Sequence, residues 1–93
     1  MLEAFQLTGK NILITGASSG LGRQTAIQAS KAEANLILTG RNLERLDETF
    51  RQLKGDEHLI IPADLTHEDE LNHLVDTVPP LNGVVYSTGV SIL

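Results

Sequence analysis

The sequence predicts an α/β fold: a parallel sheet of four strands joined by three helices, βαβαβαβ, in one domain spanning residues 1–93. Three observations predict it. Four short apolar runs, Ile12–Thr15, Leu36–Thr39, Leu59–Pro62 and Val84–Ser87, are nearly continuous rather than alternating, as in parallel strands covered on both faces. Stretches with helical spacing separate them. The first run leads straight into Thr15-Gly16-Ala17-Ser18-Ser19-Gly20-Leu21-Gly22, a glycine-rich turn that opens the first helix.

That turn organises the chain. A helix start carries unpaired N–H groups and the positive end of the helix dipole, so it favours an anion. Glycines let the chain turn tightly and let a phosphate approach the backbone without meeting a Cβ. Gly16, Gly20 and Gly22 therefore predict a pyrophosphate site. Ser18 and Ser19 can serve as helix caps or reach a phosphate with their hydroxyls.

The first helix extends to about Ala32, and its small residues Gly22, Ala26 and Ala29 permit close packing on the sheet. Glycine is the usual residue just past a helix end, yet Glu33 or Asn35 must fill that role here. In the second helix Leu43, Leu46, Phe50 and Leu53 fall at helical spacing, with Asn42 as N-cap. The third is expected to begin at Thr66, paired with Asp69 in a capping box, and to present Leu71, Leu74, Val75 and Val78 on one face. Pro79-Pro80 ends it.

Composition narrows the function. A net charge of −5 with no basic block argues against nucleic acid as a partner. No apolar run approaches the roughly 20 residues that cross a bilayer, so no membrane partner is expected. The chain has no cysteine and opens without a signal-peptide pattern, and a cytoplasmic protein is the expectation. His58, His67 and His73 show no metal-ligand spacing and read as surface residues.

The segment Gly9–Gly22, Asp64-Leu65 after the third strand, and Val84-Val85-Tyr86-Ser87-Thr88-Gly89-Val90 together resemble the short-chain dehydrogenase/reductase family. They stand for its Thr-Gly-x-x-x-Gly-x-Gly turn, its adenine-contacting pair and its fourth-strand Asn-Asn-Ala-Gly segment. Tyr86, Ser87 and Thr88 replace the last motif's first three residues, and Gly89 is kept. The resemblance implies a Rossmann-like sheet of order 3-2-1-4, incomplete relative to the family's full length. It implies cofactor contacts from Gly16, Ser18, Ser19, Gly20, Leu21, Gly22, Arg41, Asp64, Leu65, Ser87, Thr88 and Gly89. It also implies a parent oxidoreductase that moves hydride between a nicotinamide and a carbonyl or alcohol substrate.

Cofactor choice turns on the end of the second strand. An NAD site places a carboxylate there for the ribose hydroxyls, about 20 residues past the glycines. This chain has Thr39-Gly40-Arg41-Asn42 instead, with no acid before Glu44. A guanidinium binds a 2′-phosphate that a carboxylate would repel, so Arg41 points to NADP(H).

Tyr86, the only tyrosine, lies on a strand and has Val90 where the family's catalytic tyrosine needs a lysine. It is not the catalytic acid, and the family's catalytic serine and Tyr-x-x-x-Lys are expected beyond residue 93. The 93 residues alone are expected to be catalytically inactive. A second expectation is an inert or self-associating module, because the fourth strand would present an unpaired edge at Val84-Val85-Tyr86 and drive homo-oligomerisation.

Overall fold

The computed structural model describes residues 7–18, 20–86 and 89–92, the last four by their backbone. The elements follow in the order β1 (Asn11–Thr15), α1 (Gly20–Lys31), β2 (Asn35–Thr39), α2 (Leu43–Arg51), β3 (Leu59–Ile60), α3 (Glu68–Thr77), β4 (Gly83–Tyr86) and β5 (Gly89–Ile92). The sheet order is β3-β2-β1-β4-β5. The first four strands are parallel, in the expected 3-2-1-4 arrangement.

Period-two alternation along β1 and β2 divides the core into two layers. Ile14, Leu36 and Leu38 pack with Ala26 of α1 and Leu46 of α2. Leu13, Ile37, Ile61 and Val84 pack with Leu74 of α3 on the opposite face. The near-continuous apolar runs are thus covered on both sides, which is why they do not alternate.

The unpaired β4 edge that the sequence suggests is absent. β5 pairs antiparallel with β4 along its length, from Gly83 opposite Ile92 to Tyr86 opposite Gly89. The backbone groups of Val84, Val85 and Tyr86 that would have been free take part in this ladder. The physical motive for a self-associating module goes with them.

Two more expectations are corrected. α3 starts at Glu68 rather than Thr66, with His67 at the N-cap position and no side-chain cap bond. The Thr66 hydroxyl donates to Asp64 Oδ1 at 2.6 Å, a bond that turns it back along the chain rather than toward the N–H groups at the start of α3. Of the apolar residues expected on the α3 face, Leu74 is buried, Val78 lies half-buried at the C-cap, and Leu71 and Val75 are exposed.

His58 is buried, not on the surface. Its Nδ1 accepts the Leu36 N–H at 3.1 Å, and Nε2 lies 2.7 Å from the Lys54 carbonyl, to which it donates. The neutral Nε2–H tautomer satisfies both. β3 is only two residues long, and the imidazole takes up a β2 donor that a longer strand would have paired.

Candidate functional site

The carboxyl ends of β1, β2 and β3 meet three turns, and the candidate site lies there, as expected at the edge of a parallel sheet. The β1–α1 turn reverses through Gly16 at φ 64° and Gly20 at φ 59°. Both lie in the left-handed region, where a side chain is strained and glycine is not. A Cβ built on Gly20 meets nothing within 4 Å, so this bend faces open space. Gly22 serves another purpose. A Cβ there would sit 2.1 Å from the Gly16 carbonyl oxygen, and α1 can follow the turn this closely only without one.

α2 supplies the second wall. Asn42 caps it, Oδ1 accepting the Arg45 N–H at 3.1 Å, as its sequence position implies. Ser18, Arg41, Asn42, Leu43, Glu44 and Arg45 line an open depression of about 680 Å³ between the glycine turn and the start of α2. Arg41 also borders a smaller depression of about 310 Å³, shared with Pro62, Ala63, Asp64 and Glu70. Arg41 therefore borders both depressions.

Asp64 is fixed by its own neighbours. Its Oδ1 accepts the Thr66 hydroxyl at 2.6 Å and the Thr66 N–H at 3.0 Å. The Asp64 N–H donates to Glu70 Oε1 at 2.8 Å. The His67 ring lies 3.8 Å from Asp64 Oδ2 and 3.3 Å from Glu70 Oε2. The Thr66 hydrogen bonds, helped by the His67 and Arg41 charges, hold the Asp64 carboxyl below its usual range against some desolvation. Asp64 is thus ionised at neutral pH, with Oδ1 held by Thr66 and Oδ2 3.8 Å from the His67 ring.

Gly16, Ser18, Gly20, Leu21, Gly22 and Arg41 come together around the first depression or the turn that bounds it, and Asp64 borders the second. Leu21 is 66% exposed at the start of α1, an uncovered apolar side chain beside the turn. Leu65 instead packs against the α3 side of the core. Ser19, Ser87 and Thr88 lie outside the described residues, and Gly89 is placed at the start of β5, opposite Tyr86.

The sequence reading misses Arg23, Thr49 and Glu70. Thr49 carried a signal: it stands three residues after the buried Leu46, on the apolar face of α2, where a polar residue needs a partner. Thr39 Oγ1 at the end of β2 is buried and has no hydrogen-bond partner among the described residues.

A parallel sheet with a glycine turn at its first strand–helix junction and polar groups at its carboxyl edge defines a dinucleotide-binding fold. The profile of the short chain dehydrogenase family matches residues 10–93. The chain is 41% identical over 73 residues to 11-beta-hydroxysteroid dehydrogenase-like 2 of Arabidopsis thaliana, covering 75% of this chain and 24% of that protein. It is 34% identical over 87 residues to an uncharacterized oxidoreductase of Staphylococcus aureus, covering 89% of this chain and 38% of the relative. Among solved structures, a short-chain dehydrogenase/reductase from Mycobacterium ulcerans superposes with a TM-score of 0.79 at 30% identity, over 88% of this chain and 33% of that one. One from Caenorhabditis elegans, solved with cofactor, gives 0.69 at 34% identity, over 77% and 28%. The chain belongs to the short-chain dehydrogenase family and spans well under half the length of these relatives.

The family binds nicotinamide dinucleotides, and the residues present fit one. Gly20 faces open space where a diphosphate would approach, and Arg41 and the ionised Asp64 stand at the ends of β2 and β3. No helix among the described residues is long and apolar enough to cross a membrane.

Proposed function

We propose that this chain is the NADP(H)-binding portion of an oxidoreductase that interconverts a small carbonyl compound and its alcohol. The observation that carries the cofactor choice is Arg41, which borders the depression shared with Ser18 and adjoins the one beside Asp64. The turn amides and the α1 dipole hold the diphosphate, with Gly20 leaving room for it. Arg41 takes the adenosine 2′-phosphate through a two-pronged contact. Asp64 Oδ2 accepts from the adenine amino group, held in place by the bonds from Thr66. When bound, the cofactor supplies the hydride. In the parent enzyme the acid–base groups would be the family's serine and Tyr-x-x-x-Lys.

Glu44 also lines the larger depression, in the first turn of α2. It is the carboxylate nearest the expected ribose position in sequence, so its effect on selectivity is tested together with that of Arg41. Titration of NADPH and NADH by nicotinamide fluorescence decides between them. Arg41→Asp is expected to weaken NADPH about a hundredfold and NADH less than threefold, a difference of about 2–3 kcal/mol typical of a charge-assisted contact. Equal losses would remove Arg41 from the 2′-phosphate, and a larger effect of Glu44→Gln on NADH than on NADPH would favour NAD.

A further inference from the structure

A polar network ties the glycine turn to α2. The Thr49 hydroxyl is fully buried and donates to the Ala17 carbonyl at 2.7 Å. It accepts from Arg23 Nε at 2.8 Å. Arg23 Nη2 donates to the Ser18 carbonyl at 2.8 Å and the Arg45 carbonyl at 3.2 Å, and lies 3.6 Å from Glu48 Oε2. A single guanidinium, with one threonine, thus grips two consecutive carbonyls of the turn and one in the first turn of α2.

The consequence is geometric. No described peptide bond is cis, so a carbonyl and the following N–H point in opposite directions. With the Ala17 carbonyl drawn toward Thr49, the Ser18 N–H is directed away from α2's buried side. Ser18 itself lines the depression with Arg41. The hold on Arg45 fixes the first turn of α2, and with it Arg41, relative to the same peptide.

We propose that Thr49 and Arg23 are positioning residues: without touching the dinucleotide, they set the direction of the Ser18 amide and the spacing between the turn and Arg41. This rests on the dinucleotide reading above. The pair determines how well one ligand can engage the turn and the guanidinium at once, and hence the preference for a 2′-phosphate.

Three variants test it in the 93-residue chain. Thr49→Val removes the hydroxyl at nearly constant shape, Thr49→Ser restores it, and Arg23→Lys keeps the charge but not the fork. NADPH and NADH affinities are read by fluorescence titration. Amide hydrogen exchange at Ala17, Arg45 and Leu38 is read by NMR without ligand. Thr49→Val and Arg23→Lys are expected to weaken NADPH about tenfold and to lower the NADPH:NADH preference at least about threefold, with Thr49→Ser within about twofold of the parent. Ala17 and Arg45 should exchange about tenfold faster in the ligand-free variants while Leu38, in the core of β2, is unchanged. Folded variants with unaltered affinity ratio and unaltered exchange at Ala17 and Arg45 overturn the proposal, as does uniform acceleration that includes Leu38. If the parent chain binds neither dinucleotide, the proposed function fails, and the exchange pattern alone still decides whether the network orders the turn. Should Thr49→Val not fold, Arg23→Lys carries the same readouts.

Discussion

Glu33 adopts φ 72°, a left-handed conformation that costs a non-glycine residue about 1 kcal/mol. Its N–H bonds to the Ser30 carbonyl at 3.0 Å, and the Ala34 N–H bonds to Ala29 at 3.1 Å, the paired bonds of a Schellman end to α1. Glu33→Gly should therefore stabilise the chain by about 0.5–1 kcal/mol in urea unfolding, less a small loss from the 3.1 Å contact with the exposed Thr8 hydroxyl. A destabilised variant would mean that the glutamate side chain outweighs the strain. Thr39 presents the opposite case, a buried hydroxyl with no partner among the described residues. Thr39→Val keeps the shape and removes the unpaired group, and a gain of about 1 kcal/mol is expected. Asp64 gives a pH test. Because its folded pKa is lowered, its stabilising effect is present above the unfolded value of about 3.9 and is lost as pH falls through the lower folded value. An NMR titration of the Asp64 carboxyl should show a midpoint below 3.9, moving up in Thr66→Ala. An unmoved midpoint would assign the shift to another group.

Elements were legible where local chemistry decides them. Asn42 before Leu43, and Leu46, Phe50 and Leu53 at helical spacing, marked α2 and its cap from sequence alone. The start of α3 was not legible, because Thr66 can either cap a helix or close a turn on Asp64, and the nearby carboxylate wins. At the β1–α1 junction, Gly22 is needed for packing rather than for φ. Gly22→Ala would press a methyl against the rigid Gly16 backbone, and a loss on the order of 3 kcal/mol is expected in thermal unfolding, with weaker dinucleotide binding. Gly20→Ala meets no atom and should lose only the conformational strain of φ 59°, about 1 kcal/mol. If the two variants were equally stable, the close packing of α1 on the turn would be wrong.

At the scale of the whole molecule, the order of the four parallel strands follows from right-handed crossovers and was foreseeable. The fifth strand was not, since Gly89–Ile92 has no periodicity that distinguishes an antiparallel return from a continuing chain. His58 was misplaced for a similar reason: its partners, Leu36 and Lys54, are brought to it only by the fold. The network from Arg23 through Thr49 to the turn likewise spans residues far apart in sequence. The edge now covered by β5 can be tested by shortening the chain after Tyr86, which should expose the β4 ladder and raise the sedimentation-average mass at high concentration. An unchanged mass would show that β5 protects nothing. The most direct measurement is a crystal structure of the chain grown with NADP. It should place the diphosphate against the amides of the bend between Gly16 and Gly22, with the 2′-phosphate on Arg41. A dinucleotide bound elsewhere, or that bend filled by the protein's own side chains, would contradict the assignment.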